Sequence, residues 1–269
     1  MSELLPHHRE WLEVISGLSP EVVAARGYYS VESRDQLRGL GLPRDIGRYL
    51  PGLGIPVFAV RHLEPGEAFD PTGLILRPDV VYQFKDGRTA KYLSPAKQAP
   101  GLDINPLARE WLFDAMVPLV LTEGILKADS AVSTSLAAIG LGGVDGGWCR
   151  GAPLPEWELV PLKGRQALIA FDSDVTVKKS VRGALQRLAG YLQRRGAQVE
   201  IVMLPPGPHG VKVGLDGSSS RTAAPRIRSG FCSSTRRSRR TFPRKVPIRC
   251  LSCRRTSPAP TWSMASATS

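Results

Sequence analysis

The sequence predicts an α/β fold, with a mostly parallel sheet covered by helices on both faces. Three observations predict it. From Val117 onward, apolar runs of strand length alternate with helical patterns. Those runs are nearly unbroken, as in strands buried on both faces. Two of them end in acidic residues, at the edge where parallel sheets hold their ligands. A small α+β region precedes this unit and a basic tail follows it.

The first fifty residues read as small helices. In LSPEVVAARG, Ser19 is placed as N-cap, Pro20 at the first helical position and Glu21 in the first turn, and Gly27 is the stop. Another short helix is expected over residues 33–40, ending at Gly39 or Gly41. The period then shortens. GIPVFAV (54–60) and VVYQFKDGRTAKYLS (80–94) read as strands, the second folded into a hairpin at Asp86-Gly87. HLEPGEAFDPTG between them reads as a polar loop.

Beyond residue 116 the pattern becomes strand, helix, strand. VPLVLTEG is an apolar strand ending in an acid, ILKADSAVSTSLA a helix, and AIGLGGV a second strand running into glycines. A loop rich in Gly, Pro and Trp fills residues 145–163, where Trp148 and Trp157 are expected to cover the core edge. QALIAFDSD is a third strand, again ending in acids. VKKSVRGALQRLAGYLQRRG is the clearest helix, with Val181, Leu185, Leu188 and Leu192 on one face and Gly196 as the stop. AQVEIVMLPPG closes the sheet. The expected boundaries are a helical region at 1–50, a β-rich region at 51–116, the parallel unit at 117–216 and a tail at 217–269.

Charge divides at the tail boundary. Of 36 basic residues, twelve follow Asp216, where no Asp or Glu occurs, so the body is formally neutral and the net +12 belongs to the tail. The body's charge therefore identifies no partner. The tail, rich in Ser, Arg, Thr, Pro and Ala, is too polar to form a core and is expected to be disordered. Its abrupt loss of acids reads more readily as a shifted reading frame than as a genuine basic arm. Cys149 is alone in the body, and the Cys250/Cys253 pair lacks the further ligands of a zinc site. His7, His8, His62 and His209 show no ligand spacing and are expected at the surface. With no secretory leader or apolar run of spanning length, a cytoplasmic protein without membrane contact is expected. No GxxxxGK[ST] sequence occurs, so a P-loop ATPase is excluded.

The acids carry the chemistry. Glu123 follows VPLVLT, and Asp172 and Asp174 follow ALIAF. Residues two apart in an extended segment point the same way, so Asp172 and Asp174 can present two carboxylates together. Magnesium takes hard oxygen ligands and keeps several waters, so such a pair plus a phosphate suffices. A third carboxylate on the next strand would serve a second metal or move a proton. Gly124 allows a tight turn into the helix, whose N-terminus favours an anion. Lys127 either meets a phosphate or is a solvated helix residue. Lys85, Arg88 and Lys91, interleaved with Tyr82 and Tyr92, either track a nucleic-acid backbone or form a charged face in water.

These phrases resemble the Toprim signature, Glu-Gly after one strand and Asp-x-Asp after a later one. They resemble more closely a Toprim-like domain of unknown function in phage, plasmid and integrative-element replication proteins. SGLSPEVVAARGY, KYLSP, TEGILKA, IGLGGV, FDSD and KVGLD carry the resemblance over nearly all of the chain up to Asp216. It implies a Rossmann-like Toprim domain with Glu123 catalytic and Asp172 and Asp174 holding Mg2+ or Mn2+. It also implies contact of Gly124, Lys127, Lys85, Arg88 and Lys91 with phosphate or nucleic acid. Primase-like nucleotidyl transfer is the leading activity, with DNA or RNA and nucleotides as partners and a replicative helicase as a further one. The alternatives are a non-catalytic nucleic-acid-binding or helicase-recruiting module and an OLD-type phosphodiester nuclease. Lys127 departs from the primase pattern, which has an aspartate there.

Overall fold

The computed structural model describes residues 3–62, 69–171, 179–203 and 248–250. The N-terminal region opens with α1 (Pro6–Glu10), which runs on into a π-helical turn at Trp11–Ile15. Next comes α2 (Pro20–Arg26), capped as its sequence predicts. Ser19 Oγ accepts from the Val22 N–H at 3.4 Å, and Gly27 stops the helix at φ +70°. The expected second helix is a single 3-10 turn, Arg34–Leu37, with a capping box between Ser33 and Gln36.

Strands enter earlier than the sequence suggests. β1 (Tyr29–Val31), β2 (Gly52–Val57) and β3 (Gly73–Pro78) form an antiparallel sheet in that order. β3, GLILRP, is not among the expected strands, yet it alternates as a half-buried strand should, with Leu74 and Leu76 inward. The Asp86-Gly87 hairpin forms as expected, but from two-residue strands, β4 (Tyr82–Gln83) and β5 (Thr89–Ala90), with Gly87 at φ +84°.

The large sheet begins with β6 (Asp103–Ile104) and α3 (Arg109–Phe113). It continues through β7 (Leu119–Thr122), α4 (Ile125–Val132) and β8 (Ala137–Gly140). A small hairpin, β9 (Trp148–Cys149) with β10 (Ala152–Pro153), interrupts the connection to β11 (Gln166–Ile169). The last elements are α5 (Lys179–Arg194), β12 (Gln198–Met203) and β13 (Ile248–Cys250). Strand order is β13-β12-β11-β7-β8-β6, parallel throughout except for β6, which runs antiparallel to β8. The mixed α/β class is therefore as expected. β13 lies within the tail; the other tail residues are outside the described residues, as are Lys212–Asp216.

Burial explains the order. All four residues of β7 and all four of β8 are buried, as central strands between two helical layers must be. In α5, Leu185, Leu188 and Leu192 are wholly buried, each contributing roughly 1.5–3 kcal/mol by its removal from water. Arg165 fastens α3 to the start of β7. It is buried, and its guanidinium donates to the carbonyls of Trp111 (2.8 Å), Leu112 and Val117 (2.8 Å). Burial pulls its pKa down to about 10, which leaves it charged at neutral pH, where it caps the carbonyl end of α3.

A buried ionic knot ties α2 to α4. Arg26 donates from Nε to Asp129 Oδ2 (3.0 Å), from Nη2 to Asp129 Oδ1 (2.6 Å) and from Nη1 to Asp103 Oδ1 (2.8 Å). Tyr28 Oη adds a bond to Asp129 Oδ2 at 2.7 Å. The phrase SPEVVAARGY is thus a latch on the helix that follows Glu123.

Candidate active site at the carboxyl edge of the sheet

Strand order gives the sheet a switch point. From β7 the chain crosses through α4 to β8 on one side, and from β11 through α5 to β12 on the other. With the right-handed crossover that such units adopt, α4 and α5 lie on opposite faces. The crevice between the carboxyl ends of β7 and β11 is where open α/β sheets bind ligands. The two strands are in direct register, Leu121 beside Ile169, and the Ala170 N–H donates to Leu121 O at 2.9 Å.

Glu123 leaves β7 at this point. Its side chain is 14% exposed, and its Oε1 accepts from Lys127 Nζ at 2.9 Å, one helical turn on. Lys127, 15% exposed, is therefore not a solvated helix residue. It lies against the acid instead, a pairing that the i,i+4 spacing alone makes readable. Asp172 and Asp174, the expected metal ligands, lie outside the described residues, which resume at Lys179. Phe171, buried, is the last residue described before them.

The glycines divide their work differently from the expectation. Gly124 is extended, at φ −161°, a conformation any residue adopts, and a Cβ there would meet nothing within 4 Å. It is not needed for the turn. Close approach depends on Gly140 in β8, where a Cβ would stand 3.2 Å from Ile125 Cα and 3.3 Å from Ile125 N. Gly143, at φ +95°, then brings its N–H to the Glu123 carbonyl at 3.1 Å and holds the following loop beside the acid. Gly146 packs backbone to backbone on Gly142, and Trp157 closes the loop from beneath, donating its indole N–H to Gly147 O at 3.0 Å. Trp148 packs on Tyr191 of α5, and Arg187 lies over its ring and pairs with Asp145.

The basic hairpin presents Lys85, Arg88 and Lys91, all exposed. Arg88 is tied back to Asp86 at 2.8 Å and stands 5.3 Å from the Phe84 ring centre. Tyr82 is buried, with its hydroxyl on Asp45 at 2.8 Å, so it is not a stacking platform; Tyr92 is 45% exposed. One histidine departs from expectation. His8 is buried, 1% exposed, and both His7 and His8 meet Asp79.

Residues 109–217 match the family described as Domain of unknown function (DUF3854). An uncharacterized protein of Picosynechococcus sp. is 32% identical over 108 residues, 35% of this chain and 11% of that protein. Among solved structures, the Aquifex aeolicus primase (zinc binding and RNA polymerase domains) superposes with a TM-score of 0.51 at 16% identity. That match covers 76% of this chain and 51% of the primase chain. The fold resembles that of the zinc-binding and RNA polymerase domains of this primase. The RNA polymerase domain of Mycobacterium tuberculosis primase gives a TM-score of 0.47 at 15% identity, over 75% of this chain and 69% of that one. This chain spans about half of the Aquifex primase chain and about a tenth of the Picosynechococcus protein. Among the described residues no helix is long and apolar enough to cross a membrane.

Proposed function

We propose that the chain is a DNA-replication protein with a magnesium-dependent, primase-like nucleotidyl-transfer centre formed by Glu123, Asp172 and Asp174. One observation carries the reading. Glu123 stands at the switch point, on the strand next to the one after which Asp172 and Asp174 follow in sequence. The donor chemistry fits a hard cation, since a carboxylate oxygen lies at the strand end with open space at Gly124 beside it. Bound magnesium supplies charge neutralisation at phosphate oxygens. Glu123 then has two tasks open to it, holding such an ion or taking the proton of an attacking hydroxyl. Lys127 sets the carboxylate's orientation through their ion pair. Lys85, Arg88 and Lys91 offer exposed positive charge to a nucleic-acid backbone. A mobile-element setting, a cytoplasmic location and a replicative helicase as partner belong to the same proposal and rest on the motif resemblance.

A second reading, the non-catalytic binding module, is favoured by the ion pair itself. Lys127 places a positive charge 2.9 Å from the acid, where primase-type sequences have another carboxylate, and so weakens cation binding there. Incorporation of labelled nucleotide on single-stranded DNA with Mg2+ or Mn2+ separates the two. Transfer that falls by about 10²–10⁴ in Glu123→Gln, with DNA affinity kept, supports the enzyme. DNA binding without incorporation by the unaltered chain supports the module.

A further inference from the structure

We propose that His7, His8 and Asp79 form a three-ligand site for a zinc-class divalent transition metal, separate from the acidic centre. His7 Nε2 lies 2.7 Å from Asp79 Oδ2, and His8 Nε2 lies 2.8 Å from Asp79 Oδ1. Among the described residues, this is the group of histidine and acid side chains whose ligand atoms all fall within 4.8 Å of one another. The two rings stand 4.2 Å apart, centre to centre.

Three elements bring the ligands together. α1 supplies both histidines. Asp79 follows β3, with its backbone N–H on Pro51 O at 3.1 Å. β1 supplies Ser30, whose Oγ lies 2.7 Å from His8 Nδ1 and also accepts the Leu5 N–H at 2.7 Å. Ser30 stands in the outer shell of such a site. A Nδ1–H donated to it fixes the tautomer that leaves the Nε2 lone pair free for a metal. His8 is buried beneath the group, whereas the His7 side chain is 54% exposed, so an ion would enter from the His7 side and keep an outward coordination position.

Two imidazoles and a carboxylate are the donor set of three-ligand zinc sites, and imidazole disfavours magnesium and calcium. With bonds of roughly 2.0–2.2 Å, tetrahedral ligand atoms stand about 3.3 Å apart. The two nitrogen–oxygen pairs would open by about half an ångström to admit the ion, within reach of side-chain rotation. Without it, imidazole N–H groups donate to the carboxylate, and the group is a hydrogen-bonded clasp between α1 and the end of β3. The same residues thus serve as clasp or as site.

The test uses the full chain, stripped with a chelator and titrated with Zn2+ and Co2+ by calorimetry and absorption. Millimolar Mg2+ occupies hard oxygen sites during the titration. We expect a 1:1 event whose cobalt spectrum is of nitrogen–oxygen type and lacks thiolate charge transfer. His7→Gln and Asp79→Asn should each weaken it at least tenfold. His7 is half exposed, so His7→Gln should keep the wild-type circular dichroism and a cooperative urea transition even if a change at His8 misfolds the chain. Absent binding would overturn the proposal. So would equal binding by the His7→Gln/Asp79→Asn double variant, or a cobalt band of thiolate character assigning the ion to the cysteines.

Discussion

Lys127 Nζ donates to Glu123 Oε1 at 2.9 Å across one turn of α4, so the candidate acidic centre carries its own counter-charge. Neither side chain is more than 15% exposed, so solvent screens the pair weakly. A cation approaching Glu123 must displace the ammonium or tolerate it. Lys127→Met should therefore tighten Mn2+ binding by about tenfold, or ~1.4 kcal/mol. Calorimetry reads the change directly. An unaltered affinity would mean that the ammonium already stands away from Glu123 in the loaded protein.

Two glycines beside this pair should respond in opposite ways. Gly140→Ala drives a Cβ into the backbone of Ile125, which cannot rotate away as a side chain can. It should cost about 1–3 kcal/mol and displace Glu123. Gly124→Ser fills open space and supplies α4 with the N-cap side chain it lacks, so stability should rise by up to about 1 kcal/mol. If a phosphate uses that space, nucleotide transfer will fall in the more stable protein. Urea unfolding and the incorporation assay, run on both variants, separate the two effects.

What the sequence made legible was local. α2 announces itself through Ser19, Pro20 and Gly27, and β7, β11 and α5 through runs and periods that need no distant partner. The strand ends alone place Glu123 on a sheet edge. Features that depend on long-range pairing left no such sign. β6 is two residues long and acquires its place only beside β8. α3 is five residues long, held by an arginine some fifty positions away. Arg26 and Asp129 look like ordinary solvated helix charges, since nothing in periodicity marks partners 103 residues apart. The burial of His8 leaves no local sign for the same reason, because it depends on Ser30 and Asp79.

Thr122 stands next to Glu123 and carries a buried hydroxyl. Its residue is wholly buried, and its Oγ1 has no partner among the described residues. A buried hydroxyl without a partner costs about 1–3 kcal/mol in lost hydration. Thr122→Val removes the hydroxyl, keeps the branched shape and suits a strand. It should leave stability unchanged or raise it by about 1 kcal/mol in urea unfolding. A loss of that size would show that the hydroxyl is bonded in solution.

The Arg26 knot holds one buried cation between two buried carboxylates, and the two acids should behave differently. Asp129 accepts two bonds from Arg26 and one from Tyr28. Asp103 accepts one from Arg26 and one from the Phe58 N–H, while its Oδ2 has no partner among the described residues. Burial works against Arg26, but the two carboxylates outweigh it and hold the guanidinium charged. Burial also pushes the Asp103 carboxyl above its usual range, and Arg26 does not fully offset it. The surplus negative charge is therefore relieved at Asp103. Asp129→Asn should cost about 3–5 kcal/mol, as breaking a buried pair does. Asp103→Asn should cost less, about 1–3 kcal/mol. The pH dependence gives a sharper check. Native Asp103 holds its proton more tightly than the unfolded chain, whose aspartates titrate near ~3.9. Between those two values the native state binds more protons, so this contribution is full below ~3.9 and is lost as pH rises through the native pKa. Asparagine cannot titrate. The stability gap between wild type and Asp103→Asn should therefore widen as the buffer is taken from neutrality toward pH ~4. Urea midpoints across that range measure it, and a gap that stays flat or narrows would mean that Asp103 ionises in the core without penalty.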